Sequence, residues 1–353
     1  MKTNASFFRR LTAVAVLILP AVTTKSFAQS VATEPVGFMT LTIPAATSPT
    51  VPANTTISVP LYNPADFTGA VASVDGATTL TLTGASWTAA QFADTANPRL
   101  VRVKTSATAN HVGKFFVVTT NTTSQLTVRD AYSGTTDITN VVSVGDTCEV
   151  LPANTLSKLF GPNAAGATSV FQTGAFFVTG SSASSADNLL VWTGTTWATY
   201  YNNSTNWKLS GNLGNQNNTI IYPDEGIFVI HRDNTTALTL TMQGKVPTTN
   251  EQTALAGAGS TFIPNRFPTD TTLLASGIQS TAGWVTAASA SGADKVFIWE
   301  GTTWGTYFFN GTNWKKSGNL GIQDSKVIST GAAIFITKTS AAATLTQNLP
   351  YTP

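Results

Sequence analysis

Trp192-Thr193-Gly194-Thr195-Thr196-Trp197 decides the fold of this chain, together with its counterpart 107 residues on, Trp299-Glu300-Gly301-Thr302-Thr303-Trp304. Each stretch places Gly-Thr between two runs rich in Thr, Val and aromatic residues, the types that suit a pleated, half-buried surface. Glycine at the first central position of a two-residue loop is the signature of a type II′ hairpin. Such a loop fixes the register, so Trp192 is expected opposite Trp197, and Trp299 opposite Trp304. The next turns are read at Asn203-Ser204 and Asn310-Gly311, the second being the Asn-Gly pair of a type I′ turn. That register places Tyr200 opposite Trp207 and Tyr307 opposite Trp314. Each segment is expected to be a three-stranded meander with two cross-strand aromatic pairs, each contributing roughly 0.2–1 kcal/mol.

Alternation sorts the two faces of each meander. One face carries Leu189, Val191, Ala198, Tyr200, Trp207 and Leu209, matched by Val296, Ile298, Tyr307 and Trp314; this is the expected core face. The other carries Trp192, Trp197, Thr199, Tyr201, Asn206 and Lys208, matched by Trp299, Trp304, Thr306, Phe308, Asn313 and Lys315. Two readings fit this second face. It packs on the remaining strands or on the neighbouring repeat, as large aromatics usually do. Alternatively it binds a ligand, with indole faces stacking on sugar rings. The ligand-binding residues would then be Trp192, Trp197, Tyr201, Lys208, Trp299, Trp304 and Lys315.

Asp187–Gly214 aligns without a gap on Asp294–Gly321, with 18 of 28 positions identical, which marks a duplication. The expected domains are an N-terminal β unit over 29–152, a first β repeat over 153–249 and a second over 258–353. A polar, small-residue linker is read at about Pro247–Gly259. Within the first unit, Asp75-Gly76 reads as a type I′ hairpin turn, and Leu100–Val103, Phe115–Thr119, Gln125–Val128 and Thr147–Leu151 read as further strands. Gly37–Ile43 resembles the Gly226 strand, and Thr56–Leu61 resembles Thr261–Phe267. Residues 64–150 are therefore also readable as an insertion into an N-terminal module. The fold class is all-β: tandem antiparallel meander, barrel-like or sandwich modules after an N-terminal β unit.

The first 28 residues read as an export signal. Lys2, Arg9 and Arg10 precede the apolar run Leu11–Val22, and Ser26-Phe27-Ala28 supplies small residues for cleavage after Ala28. Arg9-Arg10 is a poor twin-arginine match, so the general secretory route is favoured. The signal holds four of the 19 cations and none of the 17 acids, leaving 15 against 17 and a net charge of −2. That balance, without a basic run, gives no footprint for nucleic acid or anionic lipid. No later apolar run is long enough for a transmembrane helix, and the C-terminus carries no sorting tail. The product is expected to be secreted or held non-covalently at the cell surface, with the periplasm as an alternative.

Cys148 is the only cysteine, so packing rather than an internal disulfide must stabilise the fold. It reads as a buried thiol, with an intermolecular disulfide as the alternative. Catalytic signatures are missing: no Gly-x-Ser-x-Gly, His-Glu-x-x-His, Walker loop or Cys-x-x-Cys occurs. His111 and His231 lie in different units, and Lys338 stands where the first repeat has His231. Asp187 and Asp294 are the only acids shared by the repeats, and strand-start hydrogen bonding is their default role. No catalytic residue, metal ligand or cofactor is therefore assigned.

The signature Trp-x-Gly-Thr-Thr-Trp…Tyr…Asn-Trp-Lys…Ser-Gly-Asn-Leu-Gly, with Gly226-Ile227-Phe228-Val229-Ile230 further on, resembles an uncharacterised family of exported, β-rich repeat proteins of bacteria. Gly113-Lys114-Phe115-Phe116, Gly145-Asp146 and Thr155-Leu156…Leu159-Phe160-Gly161 carry the same resemblance. It implies export and a β-repeat architecture, and brings no activity or site residues. The expected function is a non-enzymatic extracellular or cell-surface protein, structural or adhesive, whose partners are a cell-surface polysaccharide or a second copy of itself. The alternatives are a carbohydrate-binding array on the paired tryptophans and a secreted hydrolase built on 64–150.

Overall fold

The first hairpin of each repeat forms where its Gly-Thr pair places it. The computed structural model describes residues 34–48, 50–131, 136–161, 170–174 (backbone only) and 177–352. The export signal read at 1–28 lies outside them. Strand Asn188–Trp192 pairs with Trp197–Asn202 so that Trp192 faces Trp197, and Lys295–Trp299 pairs with Trp304–Phe309 so that Trp299 faces Trp304. Gly194 and Gly301 carry φ of 96° and 91°, the positive values that the loop requires.

The second hairpin of each repeat differs from the sequence expectation by one turn residue. Asn202 pairs with Trp207 and Tyr200 with Leu209; in the second repeat Phe309 pairs with Trp314 and Tyr307 with Lys316. Of the residues read as central, only Ser204 (76°) and Gly311 (98°) carry positive φ, and the central pair begins there, one residue later than read. The reason lies in the asparagine side chains. Asn203 Oδ1 accepts from the N–H groups of Thr205 and Asn206, and Asn310 Oδ1 from those of Thr312 and Asn313. Each asparagine thus braces the loop from outside its central pair. Moving the loop by one residue shifts the pairing by two, so the faces survive. Trp207 and Trp314 remain on the core face and are fully buried, but they are diagonal neighbours of Tyr200 and Tyr307 rather than their partners.

The whole described chain is almost entirely β, in antiparallel sheets and one closed barrel. The first five-stranded sheet runs Trp207–Leu209, Trp197–Asn202, Asn188–Trp192, Ile227–His231, Ala53–Ile57. The second runs Trp314–Lys316, Trp304–Phe309, Lys295–Trp299, Ala333–Thr337, Ser260–Pro264. The order is the same, and each fifth strand comes from outside the meander. Val36–Ile43 pairs along Leu238–Lys245, as Glu251–Leu255 does along Ala343–Gln347. Gly37–Ile43 therefore occupies the place of Glu251–Leu255, not that of the Gly226 strand it resembles in sequence.

These pairings redistribute the N-terminal residues. Val36–Ile43 and Ala53–Ile57 hydrogen-bond to strands of the first repeat, so 29–152 does not hold together as one sheet system. Between them and the rest of that module runs the barrel, whose strands close in the ring Phe67–Val74, Thr79–Leu82, Gln125–Arg129, Phe115–Asn121, Arg99–Thr105, Thr147–Pro152. Its first turn is wider than the Asp75-Gly76 reading. Asp75 N–H reaches Thr79 O at 2.8 Å, while the Asp75 carboxylate accepts from Ser73, Thr81 and Gln125. Cys148 is a buried free thiol in the barrel core, which argues against an intermolecular disulfide; burial pushes its pKa up to about 12.

A short helix, Leu156–Phe160, follows the barrel, capped by Thr155 Oγ1 on Lys158 N–H. It delivers Phe160 to Phe177 and Trp207 in the core of the first module, and Trp207 Nε1 donates to Gly161 O at 2.7 Å. The stretch read as a linker at 247–259 is not one: Glu251–Leu255 is a strand, with Glu251, Gln252 and Thr253 all buried.

Candidate functional site

The two tryptophan pairs lie on one aromatic seam between the modules, joined through phenylalanines. Each pair is edge-to-face, with ring centroids 5.2 Å apart. Phe228, Phe262 and Phe335 fill the space between them: Trp197 lies 5.3 Å from Phe262, Trp192 5.2 Å from Phe335, and Trp299 5.2 Å from Phe228. The indole N–H groups cross the joint reciprocally. Trp192 Nε1 donates to Ser260 O and Trp299 Nε1 to Asn54 O, both at 2.9 Å. The tryptophans are half-buried, and their faces are largely spent on this seam.

The other sequence-assigned residues lie elsewhere on the sheets. Tyr201 (4% exposed) and Lys208 line a shallow cleft of about 650 Å³ with Thr179, Ser181, Asn203 and Leu213. The Lys208 ammonium donates to Leu213 O at 2.8 Å, so it braces a loop. Lys315 lies opposite Phe308 at the matching edge position of the second module. The structure therefore brings together Trp192, Trp197, Trp299 and Trp304, and leaves Tyr201, Lys208 and Lys315 apart from them.

Two features went unread in the sequence. The first is a buried ionic cluster where the barrel meets both modules. Glu251, fully buried, accepts from the guanidinium groups of Arg102 and Arg266 and from Tyr62 Oη at 2.8 Å. Arg266 also donates to Tyr62 Oη at 2.6 Å, and the Arg102 guanidinium lies 4.7 Å over the Tyr62 ring. Arg102 reaches Glu149 at 3.4 Å, and Glu149 takes Lys245 at 2.8 Å and Lys104 at 3.2 Å. Both lysines also pair with Glu34. Burial, helped by Glu251, pushes the Tyr62 hydroxyl up to about 12 despite the two guanidinium groups. The barrel supplies Arg102, Lys104 and Glu149; the first module Glu34, Tyr62 and Lys245; the second Glu251 and Arg266. Spread over 34–266, these residues form no local motif.

The second is a cavity of about 900 Å³ at the same three-way junction. Phe92, Val117 and Arg129 of the barrel line it, with Trp192, Tyr200, Tyr222 and Glu225 of the first module and Thr253, Leu255 and Phe262 of the second. Glu225 Oε2 accepts from Tyr222 N–H at 2.9 Å. Burial, and then the neighbouring Asp224 charge, push the Glu225 carboxyl up to about 8 against that hydrogen bond. Burial and the Glu225 charge also raise the Tyr200 hydroxyl. Thr253 is 2% exposed, and its Oγ1 has no hydrogen-bond partner among the described residues. A raised carboxyl in an aromatic-walled cavity marks a place for ligand recognition.

Asp187 and Asp294 do more than start strands. Asp187 accepts from Val178 N–H, Arg232 N–H and the His231 ring, and Asp294 from Val285 N–H, Thr339 N–H and the Lys338 ammonium. Among the described residues, no group of three or more His, Cys, Asp or Glu side chains could hold a metal ion. Nor is any helix among them long and apolar enough to cross a membrane. No protein-family profile matches the chain, and no curated protein matches it.

Proposed function

We propose that the mature chain is an exported, non-enzymatic protein of the cell surface or extracellular space that works as a rigid structural or adhesive scaffold. The observation that carries this reading is the double fastening of the three β units. Modules are joined by the reciprocal tryptophan seam, and the barrel is tied to both through Glu251 and Glu149. A protein whose shared aromatics and buried charges are committed to inter-module joints is suited to transmit load or present a fixed surface.

Self-association is the partner this reading favours. The identical loops Ser210–Gly214 and Ser317–Gly321 each hold an outward leucine, Leu213 at 75% and Leu320 at 69% exposure. Two large apolar side chains kept exposed at matching positions suit a contact surface. A cell-surface polysaccharide is the second partner, taken at the Tyr201–Lys208 cleft rather than by the tryptophan pairs, whose faces the seam occupies.

The test is fractionation of the native host combined with sedimentation of the purified mature chain. The scaffold reading expects protein in the surface or extracellular fraction, and assembly that weakens when Leu213 and Leu320 are both changed to Ser. Protein confined to the cytoplasm would contradict it.

A further inference from the structure

We propose that the three-way junction cavity binds a small organic cation bearing a primary ammonium group, seated between the Glu225 carboxylate and the rings of Tyr200 and Tyr222. This goes beyond the scaffold reading and does not depend on it.

The second module supplies the template. There Tyr307, at the place of Tyr200, donates from Oη to Glu300 Oε1 at 2.6 Å. Lys316 and Lys326 bring their ammonium groups to the same carboxylate, at 2.7 and 3.2 Å. The two nitrogens lie 5.8 and 5.7 Å from the Tyr307 ring centre, within reach of a cation–π contact. A tyrosine, a carboxylate and chain-borne ammonium groups thus form one self-contained unit. Its carboxylate is held down to about 2, first by the Lys316 hydrogen bond and then by that of Tyr307.

The first module keeps the tyrosine but neither the carboxylate, Thr193 standing where the second module has Glu300, nor the ammonium groups. Leu209 stands where the second module has Lys316, and Thr219 where it has Lys326. A different carboxylate is present instead, that of Glu225, whose counterpart is Ala332. Thr219 lines the cavity beside Glu225, Tyr200 and Tyr222. Thr253 lines it from the second module. The volume falls within the range of about 300–1,000 Å³ typical of small-molecule sites. Val191, Ile220, Leu255 and Phe262 give the ligand's carbon skeleton an apolar bed.

An ammonium ion would donate to the Glu225 carboxylate while resting on the tyrosine rings. Because burial holds the empty Glu225 carboxyl up to about 8, seating a cation at pH 7 ionises it and releases a proton. Asp224 on the same loop and Asp94 and Arg129 of the barrel also border the cavity; Lys114 interacts with Asp224.

The experiment is titration calorimetry on the full mature chain with cadaverine and 2-phenylethylamine, each against its matched alcohol, 1,5-pentanediol and 2-phenylethanol. At least one amine should bind one-to-one at least about tenfold more tightly than its alcohol, a margin of about 1.4 kcal/mol. Its binding enthalpy should differ between phosphate and HEPES buffers, neither of which carries a primary amine, reporting proton release. Glu225→Gln should weaken binding at least about tenfold. Thr219→Lys, which restores the second module's ammonium group, should abolish binding while leaving the thermal melt cooperative. Alcohols that bind as tightly as the amines, an undiminished Glu225→Gln variant, or no amine binding at millimolar concentration would each overturn the proposal.

Discussion

Trp192 Nε1 donates to Ser260 O across the module joint at 2.9 Å, and Trp299 Nε1 returns the same bond to Asn54 O. Asn54 pairs with Ile230, and Ser260 with Thr337, at matching places in the two sheets. The joint is therefore self-complementary, as an isologous dimer interface is, but built within one chain. Trp197 and Trp304 both lie against Phe228, Phe262 and Phe335 in its centre. Replacing either by Ala is expected to cost about 2–4 kcal/mol, since a partly buried indole loses contact on several sides. Urea denaturation checks this; a loss below about 0.5 kcal/mol would be that of an ordinary surface position.

Glu251→Ala is expected to be more damaging. It strands the Arg102 and Arg266 guanidinium groups and the Tyr62 hydroxyl without their shared acceptor. Breaking a buried ionic cluster at one partner costs about 3–5 kcal/mol. Chemical denaturation measures the loss, and the barrel and second module should both become more protease-sensitive.

The Asp187–His231 and Asp294–Lys338 pairs are the same device with different cations, at 2.7 and 2.9 Å. Burial lowers the His231 pKa, but the Asp187 hydrogen bond and charge outweigh it, and the net shift is upward from 6.5. The folded pKa exceeds the unfolded one. The pair's stabilisation is therefore fully present below about pH 6.5 and is lost as pH rises through the folded value. His231→Lys should fold and should remove this loss over pH 6–9, because lysine titrates near pH 10.4. Thermal melts of both proteins across that range test the point; parallel curves would contradict it.

Glu225 has the opposite sense to an ordinary carboxylate. Its pKa rises from 4.5 when unfolded to about 8 when folded. Its contribution to stability is thus complete below about pH 4.5 and declines as pH rises to about 8. Glu225→Gln removes that decline. The variant is expected to match the parent near pH 4 and to exceed it by about 1 kcal/mol or more at pH 8.5. Equal melting at both pH values would refute the assignment.

The hairpins were legible because two-residue loops with glycine at the first central position admit few geometries. The Asn-Gly turn was misread by one residue because asparagine has two turn roles, central residue and side-chain brace, and sequence does not choose between them. The face assignment survived since the slip was even. The tryptophan seam was half legible: alternation marked a second aromatic face, but not its neighbour. Glu251 was missed because Glu-Gln-Thr in a polar stretch reads as linker; only Arg102 and Arg266, distant in the chain, make it a buried strand. The junction cavity needs three units at once, and Glu225 has no counterpart in the second repeat to draw attention to it.

The central claim is that the barrel and both modules form a single fastened body. Scanning calorimetry of residues 29–353 tests it most directly. The account predicts one transition whose calorimetric and van't Hoff enthalpies agree, and which splits when Trp197 and Trp304 are both changed to Ala. Two or more separate transitions in the unaltered protein would contradict it.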